Sequence, residues 1–240
     1  MISWIAKFTH MDKYAKTGLL YKYLNYLYRY HVEGCNTEPW IREGVLDEVF
    51  DSEMYPMLSL TQLLHNTKEV PKDRPSTFVL RGSKGDGRVF YFCKMISCCI
   101  EHIPPYVTWE DVQSNNHMFR LPIYVTAEAI QQWNVDAYET ANNAVQSLLY
   151  TCIMQQANLE EKIAQSFVRE IVDELLQRQM IAIFFEQGFC KANIVAVKII
   201  DMLNQMENRP LAVFVEDSDF KPSDPTQQHC IDIGPVKVYQ

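Results

Sequence analysis

Residues 158–185 read NLEEKIAQSFVREIVDELLQRQMIAIFF, and this stretch carries the clearest secondary-structure pattern of the chain. Asn158 with Glu161 three residues later is a capping-box pattern, which marks the start of a helix. Apolar residues then recur every three or four positions through Leu176, so one wide face of the helix is apolar. The stretch turns apolar on all sides at 180–185. This predicts that the helix continues with a buried end and stops at Gly188.

Two more helices are predicted beside it. The preceding one starts at Asp136, where Glu139 again completes a cap-like pair, and Thr126 is a cap for a shorter helix before that. The following one spans 192–208 and ends before Pro210. Short connections between consecutive helices predict that they pack against each other. We therefore interpret residues 126–208 as an amphipathic helical bundle.

Strand patterns occur on both sides of this bundle. Alternating apolar residues at 77–82 and 88–95, with the glycine-rich stretch 82–87 between them, predict a β-hairpin. Further strands are predicted at 120–125, 211–215 and 230–239. The expected fold class is α+β: the helical bundle, a small, mostly antiparallel sheet and an N-terminal helical region.

The chain of 240 residues is long enough for one large domain or two small ones. Residues 67–75 are charged and contain two prolines, which makes them the best linker candidate. We predict a single domain over 1–240, with a division into two lobes as the alternative. These lobes would be an N-terminal helical region at 1–66 and the sheet plus bundle at 77–240.

Composition predicts a folded intracellular protein that does not span a membrane. Apolar residues make up 48% and charged residues 22% of the chain, no apolar run has the length of a membrane span, and no secretory signal is visible. The seven cysteines are scattered and odd in number. That pattern is typical of reduced thiols in the cytoplasm or nucleus rather than of a disulfide framework.

The N-terminal segment interleaves tyrosines with basic residues. Residues 1–31 carry five Lys/Arg against one Asp, although the whole chain has a net charge of −8. Aromatic rings beside cations suit single-stranded RNA. The simpler interpretation is an amphipathic helix with half-buried tyrosine rings and solvated lysines. A protein interface, where tyrosine is enriched, is a third interpretation. The predicted partner-binding residues are Tyr14, Tyr21, Lys22, Tyr26, Tyr28 and Arg29.

Three other groups of residues are candidates for chemical sites. The glycine-rich stretch with Lys84 could hold a phosphate, but a Walker loop needs Gly-Lys-Ser/Thr opening a helix, and a strand is expected to follow here. Cys98, Cys99 and His102 lie close in sequence, yet adjacent cysteines are poor zinc ligands, and buried cysteines are common without any chemistry.

The third group is the acidic end of the apolar strand at 211–215. Its carboxylates, Glu216, Asp217 and Asp219, could hold magnesium, because a hard cation prefers oxygen ligands. An acidic turn leaving the sheet is the simpler interpretation. We therefore predict no catalytic residue, no metal and no cofactor.

The sequence predicts a non-catalytic protein–protein interaction domain, an adaptor or scaffold of a larger assembly, whose partner is another protein or a second copy of the chain. One alternative is a metal-dependent enzyme on a phosphate-containing or nucleic-acid substrate. It would use the three carboxylates for the metal, and Lys84 or the N-terminal Lys/Tyr helix for the phosphate. Another alternative is a single-stranded RNA-binding module that uses the N-terminal Lys/Tyr helix.

Overall fold

A computed structural model describes residues 15–33, 76–83, 88–103, 119–134, 137–158, 162–186, 194–221 and 228–232. The helices are α1 (Ala15–Leu27), α2 (Arg88–His102), α3 (Ala127–Gln132), α4 (Ala141–Gln156), α5 (Lys162–Gln177) and α6 (Ile194–Gln205), and a π-helical turn at Tyr28–Glu33 continues α1. The strands are β1 (Thr77–Gly82), β2 (Leu121–Val125), β3 (Ile181–Phe185), β4 (Leu211–Asp217) and β5 (Gln228–Asp232).

The five strands form one sheet in the order β2-β3-β4-β1-β5, and each recorded pairing is parallel. Parallel neighbours need a crossover between them, which the helices supply. All carboxyl ends therefore meet at one edge, where Gly82 lies opposite Asp217. The fold class is α/β, so the predicted α+β fold with a mostly antiparallel sheet is wrong.

The hairpin prediction failed because the residues from Arg88 onward form helix α2 and not a strand. Its apolar and aromatic residues are as frequent in strands as in a buried helix face. In the folded protein the buried positions Phe92, Met95 and Cys99 recur at helical spacing. β1 therefore pairs with two distant strands, β4 and β5, rather than with the segment that follows it.

The bundle prediction failed at its central helix. Helix α5 ends at Gln177, Gln179 takes a positive φ of 56°, and the chain then enters β3. Five consecutive residues of β3 are buried, as expected of an inner strand covered on both faces. The apolar run at 180–185 is therefore a strand of the sheet. Helix α4 packs against both α5 and α6 as expected, but all three share one hydrophobic core with the strands, so they are not a bundle separate from the sheet.

Other local predictions are confirmed. β1, β2 and β4 lie where strands were expected, and the Thr126 hydroxyl accepts from the backbone N–H of Ala129 at 3.1 Å as the cap of α3. The predicted start of α4 at Asp136 is wrong, because its cap is Thr140. The Thr140 hydroxyl accepts from the backbone N–H of Asn143 at 3.2 Å.

The N-terminal helix α1 buries Tyr23, Leu24 and Leu27 in the same hydrophobic core as the sheet strands. The candidate linker at 67–75 and the rest of the predicted lobe before it, residues 34–66, lie outside the described residues. The division into two lobes therefore stays a prediction.

Candidate functional site

The carboxyl edge of the sheet is the first place to look for a site, because ligands of open α/β sheets bind outside the carboxyl ends of the strands. Here β1 lies between β4 and β5, and α2 begins shortly after β1 ends. Among the described residues around these three strands, the strand ends and the first turn of α2 supply charged side chains at this edge.

Arg88, the first residue of α2, hydrogen-bonds to the ends of two strands at this edge. Its side chain is only 5% exposed. One guanidinium nitrogen donates to the carbonyl oxygens of Gly82 and Glu216, the latter at 2.6 Å, and the other donates to Asp217 Oδ1 at 3.0 Å. The guanidinium thus joins the start of α2 to the ends of β1 and β4, and it is held by acceptors of the protein itself.

The segment from Gly82 to Val89 has the spacing of a phosphate-binding loop. Two glycines five residues apart are followed by Arg88 and Val89, where the Walker pattern has Lys and Ser/Thr. The objection that a strand follows this loop is wrong, because α2 is a helix. However, the position of the magnesium-binding hydroxyl is occupied by Val89, whose apolar side chain is 43% exposed. Residues 84–87, which include Lys84, lie outside the described residues.

A second arginine is paired at the same edge. Arg81 of β1 donates from Nε to Asp232 Oδ1 at 2.8 Å and from Nη2 to Asp232 Oδ2 at 2.7 Å. Its third contact is with the carbonyl oxygen of Phe220 at 3.1 Å. This bidentate hydrogen bonding to the Asp232 carboxylate raises the pKa of Arg81. The Arg81–Asp232 ion pair thus joins the end of β5 to β1.

The three candidate metal ligands are not gathered at one point. Successive side chains of a strand point to opposite faces, and Glu216 is buried whereas Asp217 is half exposed and paired with Arg88. Asp219 is exposed in the turn after β4. Within the described ranges, no cluster of three or more His, Cys, Asp or Glu side chains is placed to hold a metal ion.

The cysteine pair on α2 is partly within the core. Cys99 is buried and Cys98 is half-buried. Burial raises the pKa of both thiols, so both are held in the protonated form. Protonated thiols are poor nucleophiles and poor metal ligands.

The predicted partner-binding residues of α1 and the π-helical turn do not share one environment. Tyr26 and Tyr28 are partly buried and pack against the core, whereas Lys22 and Arg29 are exposed. Tyr21 is half-buried, and Tyr14 lies outside the described residues. The Tyr26 ring lies 4.4 Å from the ring of Tyr30, a residue absent from the predicted set.

A continuous row of aromatic side chains runs from this turn to the sheet. His31 stacks on Tyr124 at 3.9 Å between ring centroids, Tyr124 lies 6.0 Å from Phe92, and Phe92 lies 5.4 Å from Phe184. Burial lowers the pKa of His31, and the charge of Glu186 opposes that shift.

Two large apolar side chains close in the chain to members of this aromatic row are exposed. Among the described residues, Tyr30 at 68% and Val89 at 43% are the large hydrophobic side chains that stay exposed. Tyr30 contacts Tyr26, and Val89 lies one helical turn before Phe92. The tyrosine run marked Tyr30 in the sequence, whereas nothing local marked Val89, because its exposure depends on how α2 packs.

Comparison with protein-family models, with curated protein sequences and with solved structures found no match to this chain. Within the parts of the chain that the structure describes, no helix combines the length and the apolar character needed to cross a membrane.

Proposed function

We propose that this chain is a non-catalytic interaction domain, an adaptor or scaffold of a larger assembly, built on a parallel α/β fold. Its partner is another protein that docks on the surface formed by Tyr26, Tyr30 and Val89, which we call the aromatic surface. The observation that carries the proposal is the exposure of Tyr30, next to His31, and of Val89, one helical turn before Phe92. His31 and Phe92 both contact Tyr124 in an aromatic row that is anchored in the core.

Anchoring favours binding because a rigid aromatic side chain loses little conformational entropy when a partner covers it. Tyr23, on the same helix as Tyr26, is fully buried, and His31 is stacked on Tyr124 of β2. Exposed tyrosines on such a support are typical anchors of protein interfaces.

The carboxyl edge of the sheet also supports a non-catalytic role. The arginine at the Walker lysine position is engaged by Gly82, Glu216 and Asp217, and the hydroxyl position carries valine. A phosphate-transferring site needs a cation directed at the phosphates and an oxygen ligand for magnesium. Here the cation serves to hold strands and helix together.

The experiment compares two double variants in affinity purification with quantitative mass spectrometry. Tyr30→Ser with Val89→Ser removes the exposed apolar groups, and Lys22→Ser with Arg29→Ser is the control that removes exposed basic groups from the same segment. We expect the first variant to lose the captured protein and the second to retain it, with equal melting temperatures. Unchanged capture by the first variant would contradict the proposal. Loss of bound RNA in the second would instead favour the RNA-binding alternative.

A second candidate is supported by the strand–loop–helix unit itself. A glycine-rich connection leading from a parallel strand into a helix is the arrangement that binds nucleotide phosphates. The chain would then bind a nucleotide at the start of α2. Titration with a fluorescent ATP analogue, with and without magnesium, tests this candidate. Saturable binding that is weakened in Arg88→Ala favours it, and absence of binding excludes it.

A further inference from the structure

A polar groove lies between helices α4 and α5. Two adjoining cavities of about 200 and 280 Å³ share Asn143, Gln146 and Asp173 in their walls. The larger one is completed by Tyr138, Tyr150 and Arg169. With ~30 Å³ per water molecule, the larger cavity has the volume of roughly nine waters, which is enough for a small metabolite.

Asp173 is the acceptor in this groove. Its Oδ1 atom is shielded from solvent and has no hydrogen-bond donor among the described residues. Burial raises the pKa of this carboxyl, although the charge of Arg169 opposes the shift. A shielded carboxylate oxygen without a donor costs free energy. A ligand that brings a hydrogen-bond donor would therefore be stabilised there.

Arg169 is the donor on the same wall. Its guanidinium carbon lies 4.8 Å from the centroid of the Tyr150 ring on α4. Arg169 therefore makes a cation–π contact that reaches from α5 across the groove to α4. Arg169 and Asp173 are four residues apart on α5, a spacing that allows an ion pair. However, none of the ion pairs among the described residues joins Arg169 to Asp173. The groove thus presents a positive and a negative group separately.

We propose that this groove binds a small zwitterion of the α-amino acid class, whose ammonium group donates to Asp173 and whose carboxylate accepts from Arg169. A simple cation would be repelled by Arg169, and a simple anion by Asp173, so a ligand with both charges fits best. The amide side chains of Asn143 and Gln146 offer further hydrogen bonds in the part of the groove that both cavities share.

Calorimetric titration with individual L-amino acids tests the proposal, with ethylamine and propionate as ligands that carry one charge each. We expect at least one amino acid to bind at least about tenfold more tightly than either single-charge ligand, because each lost charge-assisted hydrogen bond weakens binding by about that factor. Trp133 provides a second signal. Its ring stacks at 6.4 Å from Tyr138 in the groove wall, so binding should change its fluorescence.

Variants locate the site. Asp173→Asn and Arg169→Gln should each weaken amino-acid binding by at least about tenfold, whereas Asp201→Asn, which removes an exposed carboxylate of α6, should leave it unchanged. Equal affinity for ethylamine and for the amino acids would overturn the proposal, as would the absence of saturable binding. If Asp173→Asn does not fold, Arg169→Gln at its exposed position decides the matter alone.

Discussion

The phenolic oxygen of Tyr23 accepts a hydrogen bond from the backbone N–H of Tyr124 at 3.0 Å. Tyr124 lies on β2, which is an edge strand of the sheet. The carbonyl oxygen of the same residue accepts from Gln156 Nε2 of α4 at 2.7 Å. Side chains from two helices therefore satisfy backbone groups on the open side of the edge strand, which protects this position from pairing with another strand.

Replacing Tyr23 by Phe should lower the free energy of unfolding by about 1–3 kcal/mol, because the partly buried N–H of Tyr124 would lose its Tyr23 acceptor. Chemical denaturation measures the change. Tyr30→Phe is the matched control, since the Tyr30 side chain is 68% exposed and its hydroxyl is accessible to water. A Tyr23→Phe protein as stable as the control would show that this hydrogen bond contributes nothing.

Replacing Arg88 should lower the free energy of unfolding more than replacing Asp217, its partner in the ion pair. Arg88→Gln leaves the buried carbonyl oxygens of Gly82 and Glu216 without their donor, which should cost about 1–3 kcal/mol. Asp217→Asn removes only a half-exposed charge, which should cost less than about 1 kcal/mol because water screens the pair. Urea unfolding of both variants gives the comparison. Equal losses would mean that the ion pair, and not the carbonyl contacts, holds Arg88.

His31 should make stability depend on pH. Its pKa in the folded protein is below the ordinary value of 6.5 because burial disfavours the charged ring. The unfolded chain therefore binds a proton first as the pH falls, and the folded state loses stability from about pH 6.5 down to the lowered pKa. Well above pH 6.5 the His31 ring is neutral in both states, so this loss of stability does not occur.

His31→Phe keeps an aromatic ring against Tyr124 and removes the titrating group. Unfolding free energies measured between pH 5 and 8, the range in which an ordinary histidine titrates, should show a shallower acid slope in this variant than in the unmodified protein. The remaining five histidines are present in both proteins, so their contributions cancel in the difference. Identical slopes would contradict the lowered pKa.

Gly18 offers a stabilising substitution. It lies inside α1, and a Cβ atom added there meets nothing within 4 Å. Gly18→Ala should raise the free energy of unfolding by roughly 0.5–1 kcal/mol, since alanine restricts the unfolded chain and favours the helix. Thermal unfolding measures the gain. A loss of stability would mean that the Gly18 backbone is not helical in solution.

Local sequence pattern was sufficient for the elements whose signals lie in neighbouring residues. The apolar face of α5, the cap at Thr126 and the strands β1 and β4 were all predicted correctly, because neighbouring residues carry the information. Among the site residues, the sequence drew attention to the tyrosine-rich helix and to the glycine-rich connection. It could not show which tyrosine faces the core.

Long-range packing decided the rest. The apolar runs of α2 and β3 fit either a helix or a strand, and their state depends on whether they cover the sheet or enter it. Strand direction is equally non-local: a parallel pairing such as β1 with β4 is set by the crossover through α2 to α6, not by the residues of either strand. The same packing brought Arg88 onto Asp217 and His31 onto Tyr124, contacts between residues more than ninety positions apart in the chain.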